Sequence, residues 1–311
     1  RLRNVPEALW YYSPWRRHAA MQEKNTKAYI MMITSMLIFG TIGIFRKYIP
    51  LSSEMLAFSR GLMGSLFLLI FIAATGRRPE RLSAGKLLWL AVTGAIMGMN
   101  WLLLFEAYRY TSVARATLCY YMQPTILIFL SPVFFKEKLT VKKLFCAAAA
   151  IVGMIFVSGV AEESQSDAQD VNGIFCALCA AALYAAVIIL NKKVQVDDAY
   201  QKTLVQLASA ALVLVPRVIA AGAGEFTALD SRSVVMVLVI GIVHTGIAYV
   251  LYFGCMQRLR AQSIAVLSYI DPVFALVLSA AVLHEQLSPL ALAGAALIIG
   301  SALVSETDFN A

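Results

Sequence analysis

Charge is what this sequence has least of. Only 14% of its 311 residues are Asp, Glu, Lys or Arg, whereas a soluble domain carries about 25%. Hydrophobic residues make up 60%. Catalytic motifs are missing too. There is no P-loop, which argues against ATP-driven work within this chain, and no G-x-S-x-G, H-E-x-x-H or paired-histidine cluster. Five cysteines, an odd number, all fall inside apolar runs, which argues against a disulfide framework. Cys176 and Cys179 form a C-x-x-C without the further Cys or His that zinc needs as ligands, so packing explains them and neither metal nor cofactor is expected. The net charge of +8 would suggest nucleic acid in a soluble protein. Here the basic residues lie between apolar runs, so membrane topology accounts for them and no nucleic-acid partner is expected.

Apolar runs fill most of the rest. Ten can be drawn, at 28–48, 54–75, 85–108, 112–134, 140–160, 171–193, 200–222, 232–256, 260–283 and 288–305, each close to the roughly 20 residues that cross a bilayer as a helix. Residues 1–27 form a polar, basic tail ahead of them, without the apolar core and cleavage site of a signal peptide. With that tail inside, 19 Lys and Arg fall on the inner side, six on the outer, and Arg60 within a span. The longest outer loop in the middle of the chain, AEESQSDAQD, is acidic. The bias predicts both termini in the cytoplasm. Small residues four apart, as in Gly94–Gly98, suit close helix packing in lipid.

The chain repeats itself. Arg115–Lys143 aligns without a gap on Ser263–Ala291, 148 residues later, pairing Tyr121 with Tyr269, Pro124 with Pro272, Ser131 with Ser279, Glu137 with Glu285 and Leu139 with Leu287. The repeat is five spans long. Five is odd, so the second copy enters the membrane upside down. An all-α integral membrane protein of ten helices is therefore expected, built as two inverted five-helix repeats, 28–160 and 171–305. Inverted repeats with interrupted spans place a transport site near the midplane.

"YYMQPTILIFLSPVFFKEKLT" and "LSYIDPVFALVLSAAVLHEQLS" are each followed by a small-residue-rich span, "AAAAIVGMIF" and "LAGAALIIGS", and the second span carries "AFSRGLMGSL". In these stretches the chain resembles the EamA-type, ten-helix branch of the drug/metabolite transporter superfamily, over nearly its whole length after residue 27. The resemblance implies a transporter of small metabolites in a plasma membrane, a bacterial inner membrane above all, often exporting amino acids or related amphipathic or cationic compounds. It does not set the substrate.

Asp271 precedes Pro272 near the middle of a span. A carboxylate at that depth is costly and marks a functional candidate, to bind a substrate cation or carry a coupling proton; the plainer reading is a hydrogen-bonded carboxyl that shapes the break. Its counterpart is Gln123, beside Pro124. His244 heads a stripe with Thr245, Ala248, Tyr249 and Tyr252, at spacings that share a helix face, and is a candidate proton relay, although a histidine bonded to its neighbours is the simpler alternative. Trp101 and Tyr249 are mirrored under the 148-residue offset; Phe39 and Tyr184 are likewise matched in spans one and six; Tyr120, Tyr121 and Tyr269 flank the prolines. A cavity lined by Trp101, Tyr121, Gln123, His244, Tyr249, Tyr269 and Asp271 is expected, suited to a partly apolar or cationic ligand. Arg60 and Glu106 lie near the outer ends of adjacent spans, and a structural or gating ion pair is preferred over capture of a substrate carboxylate by Arg60. Glu137 and Glu285, ahead of Thr140 and Ser288, read as capping and snorkelling residues.

Secondary transport, with protons as candidate coupling ion and the bilayer as surroundings, is the leading function. A membrane-embedded enzyme or lipid-handling protein is the alternative; its mark would be an acidic or histidine cluster at one membrane face.

Overall fold

The computed structural model describes residues 14–42, 45, 49–111, 113–157, 168–222, 224–227, 229–283 and 288–306, and these contain helices and no strand. Residues 1–13 of the tail, 161–167 of the acidic loop and Glu285 lie outside the described residues. The elements are α1 Pro14–Gly40, α2 Ser53–Ala74, α3 Ala84–Tyr110, α4 Val113–Tyr120, α5 Gln123–Phe135, α6 Val141–Val157, α7 Ala168–Lys193 and α8 Ala199–Ala221. They continue with the single turn α9 Gly224–Thr227, then α10 Ser231–Val239, a π-helical stretch Ile240–Ile247, α11 Ala248–Cys255, α12 Ala261–Leu267, α13 Ile270–Leu283 and α14 Pro289–Glu306.

Among the described residues, five helical rods are by themselves long and apolar enough to cross a bilayer: Ser53–Ala74, Ala84–Ala107, Val171–Lys193, Ala199–Ala220 and Ser231–Cys255. Gln123–Phe135 and Pro289–Ser301 are shorter apolar helices. Large apolar side chains such as Val133, Phe145, Leu212 and Ile219 are at least two-thirds exposed, an outer surface that suits lipid and not water.

Polar residues at the ends start the helices. Ser52 and Ser83 accept the Met55 and Lys86 amides, Asp198 those of Tyr200 and Gln201, and Asp230 that of Ser233. The bonds from Ser233 hold the Asp230 carboxyl below the usual carboxylate range. At the mirrored corners the following helices are capped by Thr140 and Ser288, which accept from Lys143 and Ala291, and not by Glu137, which reaches the start of α12 instead. Both proline spans are broken where expected. Pro124 falls in the first turn of α5 and Pro272 in that of α13, where a missing N–H leaves no bond unmade. Tight turns close α4 and α12 just before them, Met122 N–H to Cys119 O and Tyr269 N–H to Val266 O.

Close packing depends on glycine. A methyl on Gly94 of α3 would lie within 2.8 Å of the Gln206 backbone on α8, and one on Gly98 2.7 Å from Ala210 O. Backbone cannot step aside as a side chain can. Gly94→Ala should therefore lower stability by about 1–3 kcal/mol, read as a fall in melting temperature of the purified protein. Gly85→Ala, where nothing lies within 4 Å, should leave it unchanged; equal effects would refute the packing account.

Candidate functional site

A cavity of about 550 Å³ lies where the two proline breaks meet the central rods. Its deep wall is Tyr120, Tyr121 and Gln123 at the α4–α5 break with Ser268 and Asp271 at the α12–α13 break. Ile42, Ser53, Leu56, Leu104, Phe105 and Ile240 continue the wall toward the ends where α2 begins and α3 finishes. Broken helices leave backbone polar groups unpaired, so such breaks inside a membrane protein are found where they border protein or a wet cavity.

Five of the seven residues expected at the cavity line it: Trp101, Tyr121, Gln123, Tyr249 and Asp271. Asp271 is half-buried, and the Tyr121 hydroxyl donates to its carboxylate. The mirrored pair Trp101 and Tyr249 meet with ring centroids 6.1 Å apart, and Phe39 lies 5.1 Å from Tyr249. Tyr184 stacks on Tyr120 at 5.9 Å and on Tyr252 at 6.3 Å. Phe39, Tyr120 and Tyr184 add to the wall. Phe39, Trp101, Tyr120, Tyr121, Tyr184 and Tyr249 thus give the cavity an aromatic lining.

His244 and Tyr269 are placed elsewhere. His244 Nε2 lies 2.7 Å from Thr41 Oγ1, its Nδ1 3.3 Å from Val239 O, and its ring is edge-on to Phe45. The stripe expected on this rod assumed 3.6 residues per turn. The π-helical stretch Ile240–Ile247 bonds residue i to i+5 and so widens the turn. Tyr249 lines the cavity while His244 bonds to Thr41 just after α1, so the two do not share a face. Tyr269 is buried, with its hydroxyl 3.0 Å from Thr125 Oγ1.

The expected Arg60–Glu106 ion pair is a correction. Glu106 pairs with Arg109 at 3.3 Å and Arg217 at 3.9 Å, and Arg217 also reaches Glu54 at 3.5 Å. Arg60 instead turns into the bundle and lines the cavity, its guanidinium 4.5 Å over the Trp101 ring and its Nε–H donating to Thr245 Oγ1 at 3.2 Å. Glu106 is on an exposed rim where Arg109 is a helix turn away, while Arg60 is drawn to a ring and a hydroxyl on the interior face.

A polar clamp that sequence reasoning missed closes a different end of the molecule. Lys192, late in α7, donates to the carbonyls of Met256 and Leu259. Glu137, just after α5, accepts from the Ala261 amide at 2.8 Å and the Gln262 amide at 3.2 Å. The corner between α11 and α12 is thus held by a cation on its carbonyls and a carboxylate on its amides, as helix-end polarity favours. Beneath it, buried Lys202 donates to Asn191 O at 2.9 Å, and Gln206 to Asn191 Oδ1 at 3.0 Å. The signal was present in outline: Asn191 and Lys202 are strongly polar residues just inside the ends of apolar runs, and Gln206 lies more than a turn further in.

Apolar outer surface, broken helices and a central polar-aromatic cavity define a membrane transporter. The EamA-like transporter family matches the chain twice, over residues 26–159 and 171–307, and the protein belongs to that family. It is an integral membrane protein. It is similar to the transporter YxxF of Bacillus subtilis (strain 168), 32% identical over 258 residues that cover 83% of this chain and 82% of that one. It is also similar to a Salmonella typhimurium (strain LT2) protein named "probable amino-acid metabolite efflux pump", 26% identical over 57% of this chain and 61% of that one. A solved crystal structure shares the fold with a TM-score of 0.76 at 20% identity, covering 89% of this chain and 97% of the other.

Proposed function

We propose that the protein is a secondary transporter that moves a small amphipathic amine across the bacterial inner membrane by alternating access. Two inverted five-helix repeats, 28–160 and 171–305, would carry it, with the tail and both termini cytoplasmic. The observation behind this reading is the cavity itself, where the carboxylate of Asp271 sits among aromatic rings at two equivalent helix breaks. Helix contacts support the repeat. Number the ten expected spans in order and exchange each with the one five further on. The α3–α7 contact then corresponds to α1–α11, the α3–α8 contact to that of the π-helical stretch with α2, and α5–α7 to α1–α13, while α6–α14 and α2–α8 map onto themselves. The family matches at 26–159 and 171–307 divide the chain into nearly the same two halves. Export of an amino acid or related compound is favoured by the similarity to the named efflux pump, and Asp271 is the candidate carrier of a coupling proton.

The test is a thermal-shift screen of the purified protein against amino acids, nucleosides, cationic amines and sugar phosphates, since a ligand bound to the native state stabilises it by mass action. Aromatic amines and amino acids are the expected hits, and they should cross proteoliposome membranes down a gradient without ATP. Stabilisation by sugar phosphates alone would overturn this reading. In cells, Ser166→Cys should react with an impermeant maleimide from outside; labelling from the cytoplasmic face alone would reverse the topology.

A further inference from the structure

The cavity contains a second charge whose surroundings are one-sided. Arg60 is 8% exposed and lines the wall, yet no carboxylate among the described residues pairs with it. A buried cation calls for an anion. Its Nε–H is held by Thr245 and its plane by Trp101. Thr245 can accept that bond because its own hydroxyl proton goes to the Ile240 carbonyl, five residues back, at 2.9 Å. That bond belongs to the π-helical turn. With Nε occupied, the four terminal N–H bonds of the guanidinium have no acceptor among the described protein groups.

A second unused donor borders the same space. Gln123 is 2% exposed and lines the cavity, and its Nε2 is buried without a partner among the described residues. An unpaired buried donor costs about 1–3 kcal/mol, so a ligand acceptor placed there recovers that cost. A planar guanidinium fits a carboxylate with two parallel hydrogen bonds. A phosphate fits less well, because Arg60 alone cannot balance a dianion in a cavity that also holds Asp271.

We infer that Arg60, oriented by Thr245 and Trp101 and joined by Gln123, is a carboxylate-binding subsite, so that the transported molecule carries an acid group as well as an amine. This rests on the reading that the cavity is the substrate site with Asp271 taking the ammonium. Thr245 is a positioning residue here; it acts through Arg60.

The experiment measures dissociation constants of the purified, full-length protein for phenylalanine and for phenylalaninamide, which replaces the carboxylate with a neutral group. Wild type should prefer the acid about tenfold or more, the size of one charge-assisted pair. Arg60→Gln should erase that preference while leaving amide affinity within about twofold. Thr245→Val, which keeps the charge, should reduce the preference by about threefold and serves if Arg60→Gln does not fold. An equal affinity of wild type for acid and amide, or a preference that survives Arg60→Gln, overturns the subsite. If the amide binds and Asp271→Asn abolishes that binding while the acid-to-amide ratio ignores both Arg60→Gln and Thr245→Val, the amine reading stands and the subsite alone falls. Binding of neither compound to wild type removes the reading beneath it, and the subsite with it.

Discussion

Asp271→Asn should abolish transport of an amine substrate while the protein still folds. The substitution keeps the shape of the side chain and its capacity to accept the Tyr121 hydroxyl, and takes away only the charge. A hydrogen bond to a charged group contributes about 1.5–3 kcal/mol, more in a site shielded from water. Loss of the ammonium contact should therefore weaken binding by about 100-fold. If Asp271 carries the coupling proton, flux should also lose its dependence on a proton gradient. Proteoliposomes give both readouts, and melting temperature controls for folding. Wild-type flux with unchanged pH dependence would remove Asp271 from the mechanism. Because Asp271 lies in the first turn of α13, where the helix dipole favours a carboxylate, a large fall in the melting temperature of Asp271→Asn would show that its role is structural.

The second large effect is expected at Glu137. Its carboxylate satisfies two buried backbone amides, those of Ala261 and Gln262, from a position more than 120 residues away in sequence. Glu137→Ala orphans both at about 1–3 kcal/mol each, which corresponds to one to several powers of ten in a conformational equilibrium. The corner between α11 and α12, left with Lys192 alone, should open more often. The readout is maleimide labelling of Thr117→Cys, a cavity-wall position, in a background without other cysteines. Labelling from the side that Glu137 closes should rise at least about tenfold in Glu137→Ala, and less in Glu137→Gln, which keeps one acceptor oxygen. Unchanged labelling and unchanged melting temperature would show that the clamp carries no conformational weight.

Asp271 could be found by reading the chain, and the Glu137 clamp could not. Asp271 announces itself because a carboxylate inside a long apolar run has few cheap explanations. Glu137 looked like a corner residue because its partners are main-chain amides, which leave no trace in residue identity. The same distinction separates Tyr249 from His244. Both were assigned to one face, yet residues five apart on a helix of 3.6 residues per turn point about 140° away from each other, and His244 bonds to Thr41 while Tyr249 lines the cavity. Arg60 is a third instance. Its nearness to Glu106 in the expected spans suggested an ion pair, and the side-chain direction that sent it to Trp101 and Thr245 is a matter of packing.

The sequence by itself determined the apolar composition, the places where helices begin and break, the family resemblance and the aromatic character of the site. Those follow from local chemistry: runs of apolar residues, prolines without an N–H, small residues at helical spacing. Only the tertiary structure decided which polar groups find partners. It gave Glu106 to Arg109 and Arg217, His244 to Thr41 and Glu137 to the amides of α12, and it left Arg60 and the Gln123 amide facing a cavity. The physical reason is that a hydrogen bond or ion pair depends on distances of a few ångströms between segments far apart in the chain, and residue order alone does not contain those distances.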